Sequence, residues 1–455
     1  PGIYRYNTPE SLEKDFAEYE NKLNQPMSEG KFFLLISQFL NKLKCGHTFS
    51  NPLNQNSLVR ERIFNNKTYF PFYFRLVNGR MIITENASTN PLSKGSEIVK
   101  INGIPVKEII EKLLSVTKAD GNSTIENRLN SIELTRLEAE RYALFDMYFP
   151  LLFPLKDENF TIEAIDFTTK KTTKFQTPAM FKAERTAEMT KRYGKAPTYD
   201  DGWKFEIWNN STGYLKISNS ITWRLKTIKF KEFLANAFAE LRVKNIKNLI
   251  IDLRGNDGGD MELGFEISRY LAQKTWPIYA ESKRLVRNIS AQPDLLKNLD
   301  TYSDKLINGL KNGLSANSYK KVENNYFEIL PNEKLESFPA VTPDENNFKG
   351  KTFIISDGSN ASATFQFLEY VQANKLATIV GQTTGGNKQG INGGNYFFLN
   401  LPNSKVEIDI PVYFQAPLKS QKDISIVPDI IVKKDISDVG NNFDRELETI
   451  KKLLK

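Results

Sequence analysis

The chain has 455 residues, 40% of them hydrophobic, with 62 basic against 54 acidic side chains and a formal net charge of +8. That length predicts two to four domains, and the interspersed charges, without an arginine-rich stripe or finger spacing, argue against a nucleic-acid partner. A single cysteine, Cys45, and a single histidine, His47, exclude an intrachain disulfide, multi-thiolate metal sites and every two- or three-histidine zinc site; no motif for a cofactor is seen and none is expected.

Any imidazole chemistry therefore falls to His47. No apolar run is long enough to span a bilayer, the first residues are not a signal peptide, and a start at Pro1 without methionine fits the prior removal of an export signal. Helical spacing of Phe32, Leu35, Phe39 and Leu43, widened by Ile36 and Leu40, predicts a helix over Lys31 to Lys44. Gly46 stands where a left-handed cap would end that helix, which puts His47 on irregular chain just beyond it.

Residues from about Tyr69 to Phe175 read as strand-rich, with Arg80 to Thr84 and Glu97 to Ile101 as short strands. Asn102-Gly103 marks a turn, and a short helix is expected from Pro105 to Leu114. The stretch NPLSKGSEIVKINGIPVKEIIEKLL resembles the second half of a PDZ domain, a module that binds extended peptides by adding them to a sheet edge. An ordinary hairpin followed by a helix gives the same pattern.

From about Asp201 the pattern alternates. STGYLKI, KNLIIDL and KTFIIS read as buried strands, and Phe230 to Leu241, Met261 to Gln273 and Ala363 to Ala373 as helices, which predicts an α/β core. Between Ser282 and Lys351 the alternation lapses into a polar stretch expected to be an insertion over one end of that core.

Two motifs carry chemistry. In NLIIDLRGNDGG, Asn248 to Gly259, a buried strand opens into a glycine loop whose N–H groups can converge on a negative group. A phosphate cradle and an oxyanion hole both use such a loop, but the spacing fits no phosphate-binding motif, and Asp252 and Arg254 read as a structural ion pair. In TFIISDGSNASATFQFLEYV a strand runs through a small-residue turn into a helix, with Ser362 at the helix start. Ser362 can be read there as a helix cap or as a nucleophile favoured by the positive end of the helix dipole.

The order of IDLRGNDGG, SNASAT, ATIVGQTTGG and VPDIIV resembles the peptidase domain of the C-terminal processing (tail-specific) serine peptidases, over roughly Asp201 to Val432. The resemblance implies a ClpP/crotonase-like α/β core. It divides the chain into an N-terminal helical region (1–69) carrying His47, a PDZ-like domain (70–175) and a serine peptidase core (176–455) with an insertion at about 282–350. By position, Ser362 matches the family nucleophile, with Ala363 N–H and the N–H of Gly258 or Gly259 as oxyanion hole. The Ser–Lys members carry their base where this chain has Asn387, with Lys388 one residue beyond, and Phe365 stands where the family often has glutamate. KCGHTF is similar to the G-H-T/S motif of the tricorn-core-like branch, which makes His47 the expected base and Asp423 its acidic partner.

The same resemblance implies a serine endopeptidase acting on unfolded or C-terminal polypeptide segments, in an extracytoplasmic bacterial compartment, with oligomeric state left open. The alternatives are a Ser–Lys dyad using Lys388 and an inactive peptide-binding scaffold of the same fold. An unperturbed His47 base predicts a rate rising through pH of about 6.5.

Overall fold

The structure is a computed structural model, and it describes residues 2–454 apart from 123–124, 138–141, 277–281, 288–292, 302–303, 313–317, 324 and 331–339. Three six-stranded sheets organise the described residues. The sheet that carries the chemistry runs in the order Ile430–Ile431, Thr378–Gly381, Lys351–Ser356, Asn248–Asp252, Thr212–Ile217 and Trp203–Asn209. Its inner strands pair in parallel, and only the last two form an antiparallel hairpin. Leu249, Ile250 and Ile251 are fully buried, as expected of a parallel strand covered on both faces. Helices Phe230–Val243, Met261–Leu271 and Ser362–Ala373 supply the crossovers, so the α/β core expected from the alternation is present.

A second sheet is built on the long hairpin of Ile391–Asn400 and Glu407–Pro417. Here the stretch expected to be a polar insertion contributes structure. Ser282–Val286 pairs with Glu407–Pro417 and with Tyr326–Ile329, and Tyr319–Val322 completes the edge. Much of the remainder of that stretch lies outside the described residues.

The third sheet contains Phe72–Val77, Arg80–Asn86, Glu97–Ile101, Ile104–Pro105, Asn159–Ile165 and Thr172–Pro178. Asn102 and Gly103 both have positive φ, +54° and +80°, the requirement of a tight type I′ hairpin turn. The helix predicted after it runs over Val106–Leu113 and buries Val106, Ile109, Ile110 and Leu113.

The helix expected over Lys31 to Lys44 is Glu29–Lys42, N-capped by Ser28. It is not ended by Gly46. Lys44 takes the left-handed conformation, φ +50°, and its carbonyl accepts the Gly121 N–H at 3.0 Å. Gly46 is needed for a different reason: a Cβ there would lie 2.7 Å from Asp120 Oδ2. Beyond His47, Phe49 O accepts the Asp409 N–H at 3.0 Å, which stitches the N-terminal region to the hairpin of the second sheet.

A buried ion pair joins the helix Leu144–Leu152 to the helix Lys182–Tyr193 beside the third sheet. Arg185 and Asp146 meet at 2.7 Å with both side chains fully buried. Both grip Phe70, whose N–H donates to Asp146 Oδ1 at 3.1 Å and whose carbonyl accepts Arg185 Nη1 at 2.9 Å. Removing one partner of such a pair strands a charge away from water. Asp146→Ala is expected to lower stability by about 3–5 kcal/mol, read as a fall in the urea midpoint, and an unchanged midpoint would contradict this arrangement.

Candidate active site

Ser362 is delivered by the strand Lys351–Ser356, the turn over residues 357–361 and the helix Ser362–Ala373. Its φ is +51°, in the left-handed region that costs a side-chain-bearing residue energy. Such conformations persist only where the surroundings over-determine them. Gly258 supplies part of that constraint: a Cβ on it would sit 2.7 Å from Ser362 Cβ and 2.9 Å from the Ala363 nitrogen.

Two buried asparagines supply the rest. Asn360 donates to Leu253 O at 2.7 Å and Asn256 O at 3.0 Å, and accepts the Asp357 N–H at 2.8 Å, which ties the serine turn to the glycine loop. Asn256 Oδ1 accepts from Ser220 Oγ at 3.0 Å, Thr364 Oγ1 at 2.9 Å and Gly258 N–H at 3.1 Å, while Nδ2 donates to Ile217 O at 3.1 Å. Neither asparagine was singled out from the sequence motifs. Their signal was present, since an asparagine inside a buried Gly/Ser turn must find several partners.

Ser362 is not a helix cap. Ala361 occupies the N-cap position and no side chain caps the helix. The Ser362 hydroxyl instead lies 3.2 Å from His47 Nε2, across 315 residues of sequence. A neutral imidazole nitrogen at that distance can accept the hydroxyl proton.

The oxyanion candidates are narrowed. The Gly258 N–H is taken by Asn256, so Gly258 shapes the loop rather than donating from it. Among the described residues the N–H groups of Gly259 and Ala363 have no hydrogen-bond partner. Ala363 follows Ser362 at the start of a 12-residue helix, and Gly259 follows Gly258, whose α-carbon packs against Ser362.

Asp423 is not brought to His47. Its carboxylate accepts the Asn122 N–H at 3.1 Å, Asn122 Nδ2 at 2.7 Å and Asn387 Nδ2 at 2.6 Å. The buried Nδ1 of His47 has no acceptor among the described residues. Lys388 is not brought to Ser362 either. Its ammonium donates to Gln372 Oε1 at 3.2 Å, and Gln372 lies about 15 Å along the helix axis from Ser362. Phe365 is buried in the core between sheet and helices, not at the hydroxyl. Asp429 caps a strand, accepting the Ile379 N–H at 2.8 Å.

The Asp252–Arg254 pair is structural. Arg254 spans Asp252 at 2.6 Å and Asp444 at 2.8 Å, with Glu446 at 3.3 Å, and so fastens the C-terminal helix Arg445–Leu453 to the core. Tyr214 OH completes it with a 2.8 Å bond to Asp252.

The electrostatics of His47 differ from the unperturbed expectation. Burial pushes its pKa down to about 4, with Asp120 and Asp257 pulling upward and Lys118 and Arg5 pushing further down. No group of three or more His, Cys, Asp or Glu able to hold a metal occurs among the described residues.

Comparison with known families bears on what this fold carries. Residues 211–432 match peptidase family S41, and residues 66–148 match the PDZ domain. The S41 match lies C-terminal to the PDZ match, the order that the sequence motifs lead one to expect. Among solved structures, mature CPAF complexed with lactacystin superposes with a TM-score of 0.65 at 15% identity, covering 97% of this chain and 92% of that one. Mature CPAF alone gives 0.63 at 15% identity, over 97% and 90%. At that identity the likeness is one of fold. Comparison with curated protein sequences gives no match.

Because His47 is the sole histidine, its ring gives one set of imidazole signals. Titration followed by NMR is expected to show a single pKa near 4 in the folded protein. The neutral form then dominates at every pH above that value, and a midpoint near about 6.5 would contradict the burial.

Proposed function

We propose that the chain is a serine endopeptidase that cleaves unfolded or C-terminal polypeptide segments, with Ser362 as nucleophile and His47 as general base. The observation that carries this is the 3.2 Å approach of the only imidazole in the chain to a serine hydroxyl held at a helix start in a left-handed conformation.

Ser362 Oγ attacks the peptide carbonyl carbon while His47 Nε2 takes the hydroxyl proton. The oxygen of the tetrahedral intermediate gathers negative charge, and the N–H groups of Gly259 and Ala363 are the available donors for it. Collapse of the intermediate breaks the C–N bond, and the proton on Nε2 passes to the leaving amine. The remaining ester is hydrolysed by a water whose proton goes to the same nitrogen, and Oγ recovers its proton as the acid departs.

The low proton affinity of His47 suits the resting state. At neutral pH the ring is already a free base, and the greater demand is to stabilise the imidazolium once formed. The PDZ domain supports a polypeptide substrate, because that module captures extended chains at a sheet edge. The scaffold alternative rests on Phe365 and Asn387. Phe365 is core packing and Asn387 bonds Asp423, so neither removes a group that the Ser–His pair uses.

Initial rates on an unfolded protein substrate test the assignment. Ser362→Ala and His47→Ala are each expected to lose about 10⁴-fold or more, while Lys388→Ala stays within about twofold of wild type. A dead Lys388→Ala beside an active His47→Ala would replace the base, and a Ser362→Ala variant as fast as wild type would favour the scaffold.

A further inference from the structure

His47 faces a gap in the usual logic of a serine peptidase. Its Nδ1 is buried, and among the described residues no acceptor meets it. A base of this kind normally has a carboxylate on that nitrogen, which fixes the ring and offsets the charge it acquires. Here a carboxylate approaches from another direction.

Asp120 lies in the loop after the helix Val106–Leu113, within the residues that match the PDZ domain. Its side chain is almost wholly buried. Oδ1 accepts the N–H of Gly46, the residue before His47, at 3.1 Å. Oδ2 occupies the space that a Cβ on Gly46 would need. The carboxylate is therefore packed directly against the backbone that carries the imidazole.

The same carboxylate forms a buried ion pair with Arg5 at 3.1 Å. Arg5 also donates through Nη1 to the carbonyl of Gly390, just ahead of the core strand Ile391–Asn400, and stacks over the Phe414 ring at 5.1 Å. A second line of contacts runs parallel to it. Gly2 N–H donates to Asn392 Oδ1 at 3.0 Å, and Asn392 Nδ2 donates to Cys45 Sγ at 3.2 Å. The N-terminal segment thus straps the PDZ region, the histidine segment and the peptidase core together.

We propose that Asp120 is the positioning residue of this peptidase: locked by Arg5, its carboxylate holds the Gly46–His47 backbone and supplies the counter-charge for the imidazolium through space. The inference rests on His47 being the base. The charged groups that face the ring are Asp120, Lys118, Arg5 and Asp257. Two are cations, so loss of Asp120 leaves a proton on Nε2 beside Arg5 and Lys118 with only Asp257 to offset them. Asp120 lies nearly out of water, where its charge is weakly screened.

Asp120→Asn is the test, because the amide oxygen can still accept the Gly46 N–H while the charge is gone. The expected result is a fall in kcat of about 10- to 100-fold with KM little changed, together with an NMR pKa for His47 below the wild-type value. Arg5→Met is the independent arm: it removes a cation and the tie to Gly390, so kcat falls while the pKa of His47 rises. A merely structural role would reduce the folded fraction without moving the pKa in opposite directions. If Asp120→Asn keeps wild-type kcat and leaves the pKa in place while His47→Ala is dead, this inference is wrong and the base assignment stands. If His47→Ala retains activity, the base assignment itself fails.

Discussion

Everything in the site depends on one contact across two separately built regions. His47 belongs to a segment that leaves the helix Glu29–Lys42, and Ser362 begins a helix of the parallel core. Their 3.2 Å approach is made by docking, since neither region can supply both groups. The docking is correspondingly heavily specified: Phe49 is bonded to Asp409, Lys44 to Gly121, Gly46 to Asp120, and Arg5 reaches both Asp120 and Gly390. Partial burial of the imidazole among these segments lowers its proton affinity, which favours the neutral ring.

On the serine side the constraint is preorganisation. A left-handed serine is costly, and the cost is met by Asn256 and Asn360, which bind the glycine loop and the serine turn into one rigid unit. In the proposed mechanism, donors fixed in this way need no reorganisation when charge develops on the substrate oxygen. The Asp252–Arg254–Asp444 cluster performs a humbler task beneath it, holding the C-terminal helix against the same sheet.

The core, and Ser362 and His47 as candidates, were legible in the sequence because their signals are local. Short apolar runs alternating with amphipathic helices define a parallel sheet, and a single histidine leaves one candidate for an imidazole base. What was hidden depends on contacts between distant segments. Gly46 looked like a helix cap, but Lys44 takes that conformation and Gly46 makes room for Asp120, 74 residues away. Asp423 had a motif position to recommend it and is held by Asn122 and Asn387 instead. The polar stretch from Ser282 lacked a strong strand pattern, and its strands are paired through contact with the distant hairpin of residues 391–417. The pKa of His47 was invisible for the same reason, since burial by segments remote in sequence cannot be read from its neighbours.

The central claim is that buried, neutral His47 activates Ser362. Reaction of the intact protein with a fluorophosphonate, followed by peptide mass spectrometry, addresses it most directly. One adduct is expected, on Ser362, formed at a rate that rises through about pH 4 and is level from there to neutrality, and abolished by His47→Ala. Labelling of Ser362 at an undiminished rate in His47→Ala, or an adduct on another serine, would contradict it.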